Sequence, residues 1–334
     1  MLTICGFHYM NDIRLAIDVE SGDFGPEIII SGIIEAEKRS KKPFHSLLCG
    51  DRDRIEAVFK KFNADRSLQK FGIIHCSDSI LPQDRRARVW KKRADSSIIR
   101  CITLQKENRV DASVSAGDTA ILMGAALFIL GRSVGVTRPA LAAFLPTVCK
   151  KPVLLLDVGA NLNCRMDHLV SFALMGSSYV SRFFDQLSPA VALLNIGKEP
   201  VKGTRVICDS AAELQKKCKN FIGFIEGNGV LSGDADVVVC DGFTGNVLLK
   251  ACESILALTE SVLDNNAGLL RLIKGRMSIL DPENYGAVPF LGIKGTVLKA
   301  HGSSSSRAIA NAILAAITAV EKKAVWSENV RPKG

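Results

Sequence analysis

Aromatic residues are scarce in this sequence: Phe, Trp and Tyr together make up only 6% of its 334 residues. Proteins that hold single-stranded nucleic acid stack its bases on aromatic side chains, so this composition disfavours a nucleic-acid surface. The net charge of +9 nevertheless favours acidic partners, such as a phosphorylated ligand, an acidic protein or an anionic membrane. We therefore predict a protein that binds anions but no nucleic acid.

Clustered cysteines are also missing, because no two of the ten cysteines lie closer than ten residues apart. The sequence has no CxxC pair and no His/Cys spacing typical of a metal site, so we predict no bound metal and no disulfide framework. Cys49, Cys76 and Cys240 fall in or beside apolar runs, where a free cysteine acts as a small hydrophobe. These features favour a reducing, cytoplasmic location.

Targeting and membrane-spanning segments are not apparent either. Residues 1–12 lack the basic start and long apolar stretch of a secretory signal, and we expect them to be a disordered extension. The longest uncharged apolar run, at 119–131, is too short to cross a bilayer.

Common nucleotide-binding motifs are absent too. No GxxxxGKS or GxxxxGKT sequence occurs, which excludes a P-loop site. A GxG does occur within 226–233, but the next predicted strand begins at once and leaves no room for a phosphate-binding helix. We therefore predict that the protein needs no cofactor.

Apolar residues, in contrast, make up 47% of the chain, which is enough for a large core. Short apolar runs alternate with segments of helical period, such as 166–184 and 204–219. This alternation predicts one three-layer α/β/α domain over 13–325, with a mostly parallel sheet covered by helices on both faces. The predicted strands lie within nine runs: 13–19, 45–50, 71–76, 111–116, 139–144, 152–158, 190–196, 221–226 and 236–241.

Glycine and polar residues follow six strand ends: those of the runs 13–19, 111–116, 152–158, 190–196 and 236–241, and the end of TVLK at 296–299 before the last predicted helix. In parallel sheets, ligands bind beyond the carboxyl ends of the strands. Glycines there let the backbone approach a ligand, and a following helix presents free N–H groups to an anion. We expect these six ends to meet at one sheet edge and form an anion site. For the loop after 236–241, a tight turn with Asp241 or Thr244 as helix cap is an equal alternative.

Ten segments of the chain carry a family resemblance. In order they read DFGP, SAGDTAILMG, RPAL, LLDVGAN, MGSSY, LLNIG, VKG, DGFTGNVLLK, NYGAV and KAHGSS. Over residues 13–323 the chain resembles the bacterial PlsX family, the phosphate acyltransferases that act on acyl-acyl carrier protein. DGFTGNVLLK and KAHGSS are the most specific of these segments.

The resemblance implies a fold and a reaction. The family fold is like that of isocitrate and isopropylmalate dehydrogenases and of phosphotransacetylases. Its members are homodimers, peripheral to the membrane, that transfer a long-chain acyl group from acyl carrier protein to inorganic phosphate. The acyl phosphate product then serves a downstream glycerol-3-phosphate acyltransferase. Phosphate is itself a nucleophile and a thioester is already activated, so the enzyme needs to position and stabilise rather than supply a nucleophile.

The candidate site residues follow from the strand ends and the resemblance together. We assign catalytic roles to Asp241, Asn246, Lys250 and His301, with His301 as acid to the leaving thiolate or as donor to the oxyanion. An ordinary histidine at a helix start is as good an interpretation of His301. The predicted phosphate ligands are Asp23, Ser115, Gly117, Thr119, Asn161, Gly242, Thr244, Gly245 and Gly302. We predict that Asp241→Ala and Asn246→Ala both reduce acyl phosphate formation without unfolding the protein.

Five residues depart from the family pattern. Glu20 and Ser21 replace Met and Gly in the first loop, and Asp118, Ala120 and Ile121 replace Asn, Gly and Ala in the second. Asp118 places a negative charge near the predicted phosphate, which weakens binding unless a cation pairs with it. Two other functions therefore remain open: a non-catalytic membrane-associated scaffold of lipid synthesis, and a phosphotransacetylase-like enzyme that uses acyl-coenzyme A.

Two segments outside the strand ends suggest partners. The run 85–93 has six basic residues, which fit either a solvated helix face or a dock for acidic acyl carrier protein: Arg85, Arg86, Arg88, Lys91, Lys92 and Arg93. Residues 254–280 predict a helical hairpin whose second helix is basic and amphipathic. That helix fits either an anionic membrane surface or a position in the core or in a dimer interface with its basic side exposed.

Overall fold

The computed structural model describes residues 12–80, 84, 89–149, 151–263 and 287–324. Residues 1–11 of the predicted N-terminal extension lie outside the described residues, as do Arg85, Arg86, Arg88 and the second helix of the predicted hairpin.

The described chain forms eleven strands and ten α-helices. The strands are β1 (Ile13–Asp18), β2 (Phe44–Gly50), β3 (Gly72–His75), β4 (Ala112–Ser115), β5 (Ala140–Leu145), β6 (Val153–Leu156), β7 (Val191–Leu194), β8 (Phe221–Ile225), β9 (Val237–Val239), β10 (Val288–Leu291) and β11 (Thr296–Lys299). The helices are α1 (Pro26–Arg39), α2 (Arg52–Lys61), α3 (Asp65–Leu68), α4 (Val89–Lys92), α5 (Ser97–Lys106), α6 (Thr119–Ala125), α7 (Met166–Phe183), α8 (Arg205–Lys217), α9 (Gly242–Leu263) and α10 (Ser306–Glu321). A π-helical turn at Ala126–Leu130 extends α6.

Alternate residues along the central strands enter different hydrophobic clusters, which is why helices cover both faces. In β6, Val153 and Leu155 pack with α5, α6 and α9, whereas Leu154 and Leu156 pack with α7 and α8. In the first half of the sheet, Leu298 of β11 packs with α1, α2 and α10. The predicted three-layer α/β/α architecture is therefore confirmed.

All eleven strands form one sheet, in the order β3-β2-β1-β4-β11-β10-β5-β6-β9-β7-β8. Pairing is parallel from β3 to β11 and again from β6 to β8. Between these halves, β10 runs antiparallel to both β11 and β5, and β6 runs antiparallel to β5. Three successive reversals leave the two parallel halves pointing in opposite directions.

This reversal corrects the expectation that six polar strand ends meet at one edge. The ends of β1, β4 and β11 lie at one edge, called here the first edge. The ends of β6, β7 and β9 lie at the opposite one, called the second edge. The sequence did not reveal this division because an apolar run does not show the direction in which its strand pairs. Each of the nine predicted runs does contain a strand, and the antiparallel β10 was not predicted.

Candidate active site

A buried carboxylate ties together two loops of the first edge. Asp18, at the end of β1, is 1% exposed. It accepts hydrogen bonds from the backbone N–H groups of Glu20 (3.2 Å) and Ser21 (3.3 Å) and from Oγ of Ser115 (2.6 Å). Ser115 Oγ in turn accepts from the N–H of Gly117 at 3.0 Å. Ser115 and Gly117 are thus held in place by Asp18, a residue that sequence reasoning missed.

The loop after β11 joins the same group. The Asp23 N–H donates to the carbonyl oxygen of Gly302 at 2.8 Å. A Cβ atom at Gly302 would stand 3.1 Å from Asp23 Oδ1, so the glycine permits this close approach. The structure therefore brings together four of the predicted phosphate ligands, Asp23, Ser115, Gly117 and Gly302. Three of them, Asp23, Gly117 and Gly302, line a polar cavity of about 620 Å³, and Ser115 lies behind it, bonded to Asp18.

Lys299, the last residue of β11, is the most informative residue that the prediction left out. It is only 8% exposed, and its Nζ donates to the carbonyl oxygen of Ala300. Burial lowers the pKa of Lys299 to about 8, although the charges of Asp118 and Asp23 oppose this shift. The available signal was its position, because a lysine that ends a buried strand is rarely left without a function.

Lys250 and His301 are in contact, and both line a cavity whose wall also includes Lys299. The helix α9 begins at the second edge and runs across the sheet, which places Lys250 about 12 Å along the helix axis from Gly242. Its Nζ lies 2.6 Å from Glu253 Oε2 and 3.3 Å from His301 Nε2, so the two predicted catalytic residues are in contact.

His301 contacts Lys250 and Ser303 through its two ring nitrogens. Nε2 lies 3.3 Å from Lys250 Nζ, whereas Nδ1 lies 2.8 Å from Ser303 Oγ and accepts from the Ser303 backbone N–H at 3.3 Å. Burial and the neighbouring charge of Lys250 both lower the pKa of His301. The ring is therefore neutral at pH 7 and suits positioning better than acid catalysis.

A second cavity, of about 400 Å³, adjoins the polar one. The two cavities share Thr119, Lys299 and Gly302 in their walls. Lys250, His301 and Ser303 lie at the polar end of the second cavity. The rest of its wall is largely aliphatic: Leu141, Ala143, Val158, Leu249, Val288 and Ala308. We call it the apolar cavity.

At the second edge, the polar groups of the loop after β6 are satisfied by the protein itself. Asp157 is fully buried, and its carboxylate accepts from the N–H groups of Leu141 (3.0 Å), Ala160 (3.1 Å) and Asn161 (2.7 Å). Burial raises the pKa of Asp157, and these hydrogen bonds oppose that shift. The Asn161 side chain donates to Asp157 Oδ2 and to the carbonyl oxygen of Pro139. The Asn161 side-chain amide is therefore occupied by hydrogen bonds within the protein.

The DGFTGN loop is also closed on itself. Asp241 accepts from the Thr244 N–H at 2.9 Å and from Thr244 Oγ1 at 2.8 Å, as a helix cap does. The Gly242 N–H donates to the carbonyl oxygen of Asn161 at 2.8 Å. A Cβ atom at Gly245 would stand 2.0 Å from the carbonyl oxygen of Asp157. These contacts match the alternative of a tight turn with a cap.

Asn246 behaves differently from the rest of that loop. Its Nδ2 donates to the carbonyl oxygen of Val158 at 3.1 Å, and the residue lines the apolar cavity together with Lys250. The structure therefore places Asn246, Lys250, Thr119 and His301 around one space. Asp241, Asn161, Gly242, Thr244 and Gly245 lie in the closed second edge, and the role of every predicted site residue stays a prediction.

Comparison with known proteins identifies the family. A family model described as "Fatty acid synthesis protein" matches residues 13–326. A phosphate acyltransferase of Desulforamulus reducens is 39% identical over 320 residues, covering 93% of this chain and 94% of the relative. One from Dictyoglomus turgidum is 36% identical, covering 90% of this chain and 92% of the relative. The chain belongs to the PlsX family of phosphate acyltransferases.

Membership of this family confirms the predicted enzyme class, an acyltransferase of lipid synthesis with phosphate as acceptor. Among solved structures, a phosphotransacetylase from Streptococcus pyogenes superposes with a TM-score of 0.65 at 16% identity, covering 93% of this chain and 94% of the other. At that identity the likeness bears on the fold alone, and it agrees with the predicted sandwich. None of the helices in the described residues has the length and apolar character to span a bilayer.

The departures from the PlsX pattern have local partners. Asp118 caps α6 by accepting from the N–H groups of Ala120 (2.9 Å) and Ile121 (3.1 Å), and its charge supports the protonated form of Lys299. Glu20 forms an ion pair with Arg54 and accepts from the Asp51 N–H at 3.1 Å. Lys299 is therefore the nearby cation that offsets the negative charge of Asp118 at the predicted phosphate site.

A motif that the sequence reading passed over is GRSVG at 131–135, which matches the GxSxG pattern of nucleophilic serines. Ser133 is 6% exposed, and its Oγ donates to the carbonyl oxygen of Ile293 at 2.9 Å. It precedes a strand instead of lying between a strand and a helix, which the nucleophile elbow requires. Its contacts give Ser133 a structural role.

Neither a metal site nor a nucleotide-binding helix was predicted. In the part of the chain that is described, no group of His, Cys, Asp and Glu has metal-site geometry. The GxG within 226–233, Gly227–Gly229, forms a short 3-10 turn.

The basic run at 85–93 is described only in part. Arg93 donates to Asp84 (3.0 Å) and Asp78 (2.9 Å), so it belongs to a local ion-pair network. Lys91 and Lys92 are exposed.

Proposed function

We propose that this enzyme transfers a long-chain fatty acyl group from acyl-acyl carrier protein to inorganic phosphate. The product, acyl phosphate, then supplies phospholipid synthesis. The observation that carries the proposal is the meeting of Lys250, Lys299 and His301 where a polar cavity joins an apolar one. Cations at the polar end suit phosphate, and the adjoining aliphatic wall suits a lipid chain.

The reaction requires little beyond this arrangement. A phosphate oxygen attacks the thioester carbonyl carbon, the carbonyl oxygen gains negative charge, and the carbon–sulfur bond then breaks to release the thiolate. A thiol has a pKa of about 8.5, so the sulfur leaves without obligatory protonation. Lys250 and Lys299 stabilise the phosphate and the developing oxyanion. His301, held by Ser303, orients the Lys250 ammonium.

The direct test offers the purified enzyme inorganic phosphate with either acyl-acyl carrier protein or acyl-coenzyme A, and measures acyl phosphate. We expect phosphate-dependent product with the carrier-bound donor at higher kcat/KM. A preference for acyl-coenzyme A would establish the phosphotransacetylase-like alternative. Absence of product from both donors in a folded protein would favour the scaffold.

Carrier protein docking is proposed at the basic run that includes Lys91 and Lys92. Charges at the rim of a protein–protein interface mainly raise the rate of association. Charge reversal at Lys92 should therefore raise the KM for acyl-acyl carrier protein more than the KM for acyl-coenzyme A. The network of Arg93 suggests that Arg93 supports the fold of this region instead. An equal effect of the Lys92 change on both donors would contradict docking here.

A homodimer is proposed from the exposed apolar face of α9. Phe243, Val247, Ile255 and Leu258 are 63%, 55%, 57% and 64% exposed and share one broad side of the helix. Such a surface is typical of an interface between subunits. Light scattering of the wild type and of Leu258→Glu tests it, and a wild-type monomer would contradict the dimer.

We also propose a cytoplasmic, peripheral membrane location, with delivery of acyl phosphate to a downstream glycerol-3-phosphate acyltransferase. The lipid product and the net charge of +9 support it. Sedimentation with anionic and neutral vesicles is the test, and only the anionic vesicles should retain the protein at low salt.

A further inference from the structure

We infer that the apolar cavity holds the acyl chain and that Ala143, Ala308 and Leu249 set the chain length which the enzyme prefers. This inference rests on the proposed function and extends it to substrate selection. Lys250 and His301 are exposed members of the cavity wall, whereas Leu141, Ala143 and Ala308 are buried members. A thioester placed at the two exposed residues therefore directs its acyl tail along the buried aliphatic wall.

The wall comes from three separate parts of the fold. Ala143 lies on β5 and Ala308 on the first turns of α10, and both are 4% exposed. Leu249 of α9 packs against the same cluster as Ala143 and Val158. A wall built from a strand and two helices is held by the core, which suits a site that discriminates between lengths.

The two alanines matter because of their size. Between tightly packed neighbours, extra methylene groups force strain on the core. At a cavity wall, the same groups extend into open space and shorten it. Each methylene of substrate that the apolar wall buries should raise kcat/KM about fourfold, until the chain fills the cavity.

The test compares acyl-acyl carrier proteins whose chains increase by two carbons, with kcat/KM measured for each. In the wild type, kcat/KM should rise with length and then level off. Ala143→Leu and Ala308→Leu each add three carbons to the wall, so the plateau should move to chains shorter by about that number. Relative to short chains, the longest should lose about fiftyfold in kcat/KM. Leu249→Ala should move the plateau to longer chains.

Ratios between chain lengths are the readout, because a partly folded preparation lowers all rates equally. Ala212→Leu is the matched control, since Ala212 is exposed on α8, lines neither cavity and lies away from the proposed dimer face of α9. An unchanged length profile in the folded variants would overturn the inference while leaving phosphate-dependent activity intact. If neither alanine variant folds, the profile of Leu249→Ala decides. A wild type inactive at every length would refute the proposed function and the inference with it.

Discussion

At the first edge of the sheet, β1 ends in the buried carboxylate of Asp18; at the second edge, β6 ends beside the buried carboxylate of Asp157. Both organise a glycine-containing loop by accepting backbone N–H groups. The glycines nevertheless differ. Gly117 and Gly302 border the polar cavity, whereas Gly245 packs against the carbonyl oxygen of Asp157. Similar strand-end residues thus surround a cavity in one half and close a turn in the other.

This difference follows from what each loop meets. The first edge contains Lys299, and Lys250 reaches it from α9, so cations face a space large enough for a ligand. At the second edge the start of α9 lies directly on the loop after β6, where the Gly242 N–H donates to the Asn161 carbonyl. A polar strand end becomes a candidate site only where the fold leaves room beside it.

Removing the buried cation should have the largest effect. We expect Lys299→Met to lower kcat/KM by about 10²–10³, the usual loss when one preorganised donor to a developing charge is removed. Stability should not fall, because the change removes a desolvated ammonium. Steady-state kinetics with varied phosphate, beside thermal unfolding, check both. If Lys299→Met had the kinetics of the wild type, the reaction would take place at a site that does not include Lys299.

A pair of glycine variants tests the contrast between the edges. Gly245→Ala should cost about 1–3 kcal/mol of unfolding free energy, since its Cβ meets backbone. The added Cβ atom of Gly302→Ala meets only the side chain of Asp23. This variant should therefore have the unfolding free energy of the wild type but reduced activity. Denaturant unfolding and kinetics of both variants provide the measurement. Equal stability losses would mean that the first edge is as closed as the second.

The pH dependence sharpens the assignment of Lys299. With a pKa of about 8, its cationic form predominates below that pH and is lost above it. The kcat/KM for phosphate, which reports the free enzyme, should therefore fall above pH 8, by at most about tenfold per unit. Lys299→Arg retains its charge, so any activity it keeps should not show this fall. The same alkaline limb in the arginine variant would assign the titration to another group.

The smallest effect is expected in the closed loop. The sequence alone predicted that Asp241→Ala reduces activity, but the cap that Asp241 forms changes this expectation. The variant should cost about 1 kcal/mol of stability through loss of the cap, with kcat/KM per folded molecule nearly unchanged. Asn246→Ala should instead reduce activity, because Asn246 lines the apolar cavity. Asp241→Asn retains a capping oxygen and serves as control. A large kinetic defect in the stable Asp241→Asn protein would return Asp241 to the active site.

Much of the fold was readable in the sequence. Nine apolar runs each mark a strand, because strands buried on both faces need apolar residues on both faces. The segments DGFTGNVLLK and KAHGSS pointed to the family, and the contact between Lys250 and His301 joins them in space. Helix caps such as Asp118 and Asp241 were also open to local reasoning, since a cap bonds within its own turn.

Only the tertiary structure decided which strand ends share an edge. Reversals at β10, β5 and β6 depend on pairing between residues far apart in sequence, and local pattern carries no record of direction. The environment of Lys299 is likewise collective: burial lowers its pKa, and the charges of Asp118 and Asp23, on two other loops, oppose that shift. Sequence determined the elements and their chemistry, whereas packing between distant segments determined which of them enclose a site.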